Sequence, residues 1–70
     1  MYLHEAMLEV LRENGAPMTS SAIAEAINAA GSYERGDGRP LSPSQVSARA
    51  NRYSHLFTRA VDGRLICLRA

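Results

Sequence analysis

Lysine and tryptophan are absent from this 70-residue chain, and cysteine and phenylalanine occur once each. A lone Cys67 excludes an intramolecular disulfide framework, and no set of Cys and His has zinc-finger spacing. Large apolar side chains are also scarce. Of the 32 apolar residues 11 are alanines, so 21 larger ones must build any core. That suffices for one domain at most, folding by packing alone or with a partner. The longest unbroken apolar run, Leu65 to Leu68, is far shorter than the roughly 20 residues of a membrane span. Glu5 and Glu9 break any basic-then-apolar leader pattern. The expectation is a soluble cytoplasmic protein with no membrane partner.

What is present is arginine. All eight basic residues are Arg, against seven acidic ones, for a net charge of +1. The distribution is uneven. Residues 1–30 carry four glutamates against Arg12, a net of −3; residues 31–70 carry seven Arg against Glu34, Asp37 and Asp62, a net of +4. Charge asymmetry between halves suggests a surface facing nucleic acid. A GC-rich genome with chance clustering is the alternative source of an Arg-only basic set.

Periodicity predicts three helices. Leu3, Ala6, Met7, Val10 and Leu11 form one stripe at helical spacing, with His4, Glu5, Glu9, Arg12 and Glu13 on the other side. Asn14-Gly15 should end that helix, and Ala16-Pro17-Met18 should run extended. A second helix is expected from Thr19 or Ser20, with Ile23, Ala26, Ile27 and Ala30 buried and Gly31 as its stop. After a loop over 32–41, Ser42-Pro43-Ser44-Gln45 is a capping box with Pro at the first helical position. The third helix should run from Pro43 to Tyr53 or His55. Val46, Ala50 and Tyr53 share its inner side; Ser44, Ser47, Ala48, Asn51, Arg52 and His55 share an outer face without a carboxylate.

Phe57–Val61 and Arg64–Leu68 flank Asp62-Gly63, a pair suited to a two-residue type I′ turn, and read as a hairpin. Two registers are open: Val61 opposite Arg64 across a two-residue loop, or Ala60 opposite Arg64 across a bulged three-residue loop. The fold class expected over residues 1–70 is mostly α with a small β-hairpin. The order of elements is that of a winged helix-turn-helix, three helices plus a two- or three-stranded antiparallel wing sheet. Residues Pro17–Thr19 would supply the third strand.

Glu5-Ala6, Val10-Leu11, Gly15-Ala16-Pro17-Met18 and Ile23-Ala24 form an ordered set with Gly31, Tyr33, Gln45-Val46-Ser47-Ala48-Arg49, Phe57, Arg59, Gly63 and Leu68. Together they resemble the HARE-type helix-turn-helix family, whose fold is related to the N-terminal domain of the delta subunit of bacterial RNA polymerase. The resemblance spans essentially the whole chain. It implies DNA binding or nucleoprotein association beside DNA-modifying or transcription machinery, and no catalysis; a DNA-binding chain would be nucleoid-associated. The chain departs from the family in having Ser42-Pro43 and Gln45 where a Thr-Pro pair and a Thr before the Val are usual. Its spacing there is one residue shorter, and the preceding loop is longer.

Ser44, Ser47, Asn51, Arg52 and His55 are therefore the candidates for contact with double-stranded DNA in the major groove, Arg with guanine and Asn with adenine. Arg64 would act from the wing, and Arg35 and Arg39 from the loop. Arg49 and Arg59 are expected to form structural ion pairs, with the N-terminal glutamates as candidate partners. Cys67 is expected to be a buried apolar residue, and Tyr33, Tyr53 and Phe57 core residues. Ser54-His55 with Asp62 has the letters of a catalytic triad, but neighbours on a helix point about 100° apart. His4, His55 and Cys67 are too scattered for a metal, and Gly36-Asp37-Gly38 lacks the strand and helix of a phosphate loop. No cofactor is implied. The other class of function is protein docking or homodimerisation through the first helix or the hairpin; Met1, Tyr2 and Leu8 lie off the main stripe of the first helix.

Overall fold

The computed structural model of the chain describes residues 2–33, 36, 38–60 and 63–69. Its elements run α1 (Leu3–Asn14), β1 (Met18–Thr19), α2 (Ser20–Ala30), α3 (Pro43–Arg52), β2 (Phe57–Arg59) and β3 (Leu65–Leu68). The three strands form one antiparallel sheet in the order β1-β3-β2. Three helices with a small three-stranded sheet, mostly α, is a topology compatible with a winged helix. No helix among the described residues is long and apolar enough to cross a membrane.

The helix ends follow from local chemistry. Gly15 and Gly31 take left-handed conformations, φ 72° and 66°, and donate their N–H groups to Leu11 O and Ile27 O. A Cβ at either position would be strained there. At the start of α1, the Tyr2 N–H donates to Glu5 Oε1 at 2.9 Å. Thr19 caps α2 by accepting the Ala22 N–H on its hydroxyl. The box at α3 is reciprocal: Ser42 Oγ accepts from Gln45 N, and Gln45 Oε1 accepts from Ser42 N.

The core gathers Leu3, Ala6, Met7, Leu11, Ile23, Ala24, Ile27, Leu41, Val46, Ala50, Phe57 and Ile66. Every helix and two of the strands contribute. In α1 the stripe is as expected, except that Val10 is half-buried at its margin. In α2 the buried alanine is Ala24 instead, while Ala26 is half-buried and Ala30 exposed. Leu41, assigned to the loop from sequence, is a core residue. It is anchored by Asn28, whose Nδ2 donates to Leu41 O at 3.0 Å and whose Oδ1 accepts from Leu41 N at 2.9 Å. This two-way clamp ties α2 to the residue just before the α3 cap.

The hairpin register is settled by Phe57 opposite Leu68, Thr58 opposite Cys67 and Arg59 opposite Ile66. Ala60 continues it, donating its N–H to Leu65 O at 3.0 Å. This excludes the register that opposes Ala60 to Arg64. The turn bond itself runs from Gly63 N to Ala60 O at 2.8 Å, one residue earlier than a two-residue Asp62-Gly63 loop would close. Val61 and Asp62 lie outside the described residues. Alternation along the strands puts Phe57, Arg59, Ile66 and Leu68 on one face and Thr58, Leu65 and Cys67 on the other. Phe57 and Ile66 are the buried members, so Arg59 lies on the face turned to the helices. Cys67 is half-buried rather than buried, because it occupies the opposite face. The third strand does come from Pro17–Thr19, as Met18–Thr19 without Pro17, with Met18 opposite Ile66 and Thr19 opposite Leu65.

Replacing Asn28 by Ala strands the N–H and C=O of a buried Leu41, which should cost roughly 1–2 kcal/mol. Removing the cap hydroxyl with Ser42→Ala should cost about 1 kcal/mol. Urea denaturation monitored by circular dichroism measures both, and an Asn28→Ala variant as stable as the parent would contradict the clamp.

Candidate nucleic-acid interface

Residues 43–52 contain no Asp or Glu. Val46 and Ala50 turn the inner side of α3 into the core. Ser44, Ala48, Asn51 and Arg52 are exposed on the other side, as the periodicity predicts. Ser47 is only half-buried at the edge of that face, and it is engaged from β2. Arg59 Nη2 donates to Ser47 Oγ at 2.8 Å, to Ser47 O at 3.2 Å and to Asn51 Oδ1 at 3.2 Å. Ser47 and Asn51 are four residues apart, hence one turn apart on the same side of the helix, so one guanidinium reaches both.

Arg59 is thus engaged internally, but not in the expected ion pair. Among the described residues it meets a hydroxyl, a carbonyl and an amide oxygen, not the N-terminal glutamates. Arg49 likewise is not ion-paired to them: its guanidinium carbon lies 6.0 Å from the centre of the Tyr53 ring. A cation over an aromatic face is a favourable arrangement. Because these contacts are with neutral groups, the positive charge on this side of the molecule is left uncancelled by them.

The third helix stops earlier than its sequence suggests. Tyr53 leaves the helical region at φ −108° and ψ 51°, while its N–H still donates to Arg49 O. Its carbonyl then accepts from Leu56 N at 2.8 Å and Phe57 N at 3.1 Å, a turn that swings the chain into β2. His55 consequently sits in this turn, exposed, and is not on the α3 face. Its ring lies 5.8 Å from Tyr53, tilted by 44°.

Tyr53 is half-buried and stacks on His4 at 4.1 Å, and His4 stacks in turn on Tyr2 at 5.7 Å. His4 therefore does not belong to the solvated side of α1. Its Nδ1 is buried without a hydrogen-bond partner. The periodicity of α1 alone could not reveal this, since the partner ring comes from beyond α3. Tyr33 is half-buried against the core, and Phe57 is within it.

A cleft of about 200 Å³ separates α3 from β2, lined by Asn51, Ser54, Thr58, Arg59 and Arg69 with Ala50 and Phe57 at its base. Arg69 donates from Nε to Ser54 O at 2.9 Å, and its own N–H bonds Leu56 O. Two guanidiniums and two hydroxyls thus flank the α3 face, and neither Arg69 nor Arg59 was a sequence candidate for ligand contact. Arg39 and Arg64 are exposed, and each has an interaction of its own. Arg35 lies outside the described residues. At the N-terminus of α3 the box occupies the amides of Gln45 and Ser42, Val46 N bonds Ser42 O, and Pro43 has no N–H. Ser44 carries the one first-turn amide left over. A separate groove of about 420 Å³, lined by Leu11, Arg12, Gly15, Ala16, Pro17, Cys67 and Leu68, shares no residue with α3. No group of three or more His, Cys, Asp or Glu able to hold a metal ion occurs among the described residues.

Comparison of the chain with protein-family models, with curated proteins and with solved structures gives no match to any of them.

Removing the Arg59 bridge with Arg59→Met should lower stability by roughly 1–2 kcal/mol, since it deletes charge-assisted bonds in a half-buried place. Arg52→Met, on the exposed face, should stay within about 0.5 kcal/mol of the parent. Thermal melts of the two variants side by side test this; equal losses would mean that Arg59 does not join β2 to α3.

Proposed function

We propose that the protein is a small, non-catalytic DNA-binding module of winged-helix type, with α3 as the element that enters the major groove. The HARE-type resemblance of the sequence points the same way, toward DNA modification or transcription machinery. The observation that carries the reading is the α3 surface. It exposes Ser44, Asn51 and Arg52, has no carboxylate, and is backed by Arg59 and Arg69, whose observed partners are neutral. Polyphosphate is attracted to a face of that make-up, and base edges are read by side chains of these types.

The roles divide by position. Arg52 and Asn51 sit where base edges would be met, and Ser44 with its free amide sits where a phosphate would meet the start of the helix. Arg64 beside the Gly63 turn, together with Arg39, supplies phosphate contacts from the wing and the loop before α3. Ser47 contributes its hydroxyl from the edge of the face. His55, in the turn after α3, is a flank contact and not a reader. The acidic exposed side of α1 faces away from this role by its charge alone.

A docking reading has one observation in its favour: Tyr2 is 70% exposed, the one large apolar side chain so exposed among the described residues. Leu8, its proposed companion, instead packs against the core, and Met1 lies outside the described residues. In that reading a homodimer partner or a larger nucleoprotein partner would cover the start of α1.

Titrating isotope-labelled protein with a duplex at two salt concentrations separates the two. Amide shifts should concentrate in Ser44–Arg52 and around Arg64, and the affinity should fall with a log–log salt slope of about −3 to −4. Shifts confined to α1, or none at millimolar duplex, would overturn the DNA reading in favour of docking. Arg52→Ala should weaken binding more than Arg12→Ala; equal effects would mean that bulk charge alone is sensed.

A further inference from the structure

We infer that Arg59 polarises α3 into a face of hydrogen-bond donors, and that the module therefore selects guanine-bearing duplex over adenine-bearing duplex. The inference rests on α3 being the DNA-facing element and adds to it a preference and a positioning residue. A guanidinium has five N–H donors and no acceptor. The Asn51 atom that it meets at 3.2 Å is therefore the carbonyl oxygen, and the amide orientation follows. The acceptor of Asn51 is turned to β2, and its two N–H donors remain for whatever approaches the exposed helix surface.

Ser47 is treated in the same way. Its Oγ accepts from the same nitrogen at 2.8 Å, which leaves the hydroxyl proton as the free part of the group. Arg52 next to Asn51 is a donor only, and Ala48 contributes no polar atom. With no Asp or Glu in residues 43–52, the face lacks a strong acceptor.

Base edges respond differently to such a face. Adenine is gripped by an amide that donates to N7 while accepting from N6, so it needs the same oxygen that Arg59 draws toward β2, and only its second lone pair, in an orientation Arg59 fixes, is left for the base. Guanine shows O6 and N7, both acceptors, and asks only for donors. The adenine contact usual for an Asn on a reading helix is thus disfavoured here, and Arg59, which need not touch DNA, sets that choice through Asn51 and Ser47.

The test compares fluorescence anisotropy of the intact chain with three short duplexes, alike except at the central steps: guanine-bearing, adenine-bearing, and 7-deazaguanine-bearing. About a tenfold tighter complex with guanine than with adenine is expected, and loss of most of that gain with 7-deazaguanine, which lacks the N7 acceptor. Arg59→Met frees the Asn51 amide to turn, so the guanine-to-adenine ratio should fall severalfold, leaving only what Arg52 contributes, at similar salt dependence. Asn51→Ala, on an exposed position, should lower the ratio to a similar level, and it decides the matter if circular dichroism shows that Arg59→Met does not fold. Equal binding of guanine and adenine duplexes, a preference for adenine, or a ratio untouched by Asn51→Ala overturns the inference while leaving DNA binding in place. Failure of all three duplexes to bind at low salt removes the DNA reading itself, and the inference with it.

Discussion

The Arg59 guanidinium ties the β-sheet to α3, and the shape and charge of the α3 surface both depend on that tie. A ten-residue helix is too short to be stable on its own in water. Its inner side contributes only Val46 and Ala50 to the core, a small apolar contact. The remaining support is polar and comes from outside. Asn28 holds Leu41 just ahead of the cap, Arg59 holds Ser47 and Asn51 in the middle, and the Tyr53 turn with its His4 stack closes the far end. A chain rich in alanine and poor in large side chains compensates with hydrogen bonds placed along one helix.

That mode of support has an electrostatic consequence. An ion pair between Arg59 and a glutamate would have fastened the helix equally well, but it would have cancelled the charge. Neutral acceptors fasten it and leave the cation in place beside the exposed face of α3. Arg49 over Tyr53 and Arg69 on Ser54 O repeat the pattern. The near-zero net charge of the chain therefore conceals arginines gathered on and beside α3 and glutamates gathered on α1.

Much of the fold was legible in the sequence, because its signals are local. The stripe of α1, the glycine stops and the Ser42–Gln45 box each act within four or five residues, and they mark element positions to within a residue or two. The failures involve partners distant in sequence. Asn28 and Leu41 are 13 residues apart with no pattern joining them, so Leu41 read as loop. His4 looked solvated until Tyr53 arrived from the other end of the chain to stack on it. The end of α3 was overrun because helical periodicity continues to His55, whereas the Leu56 and Phe57 amides bond back to Tyr53 O and turn the chain into the sheet. Which of the β3 residues shares the Phe57 face required the hairpin register, and two registers fitted the residues equally; Cys67 therefore read as buried. For the site, the composition of the α3 surface was readable; the internal engagement of Ser47 and the flanking guanidiniums were not.

The central claim is that α3 meets DNA with donors because Arg59 holds its acceptors from behind. A high-resolution crystal structure of the protein on a guanine-bearing duplex tests it most directly. Arg59 should remain on Ser47 and Asn51, with Asn51 Nδ2 within hydrogen-bond distance of a guanine acceptor. An Arg59 swung out onto a phosphate, or a duplex bound away from α3, would contradict it.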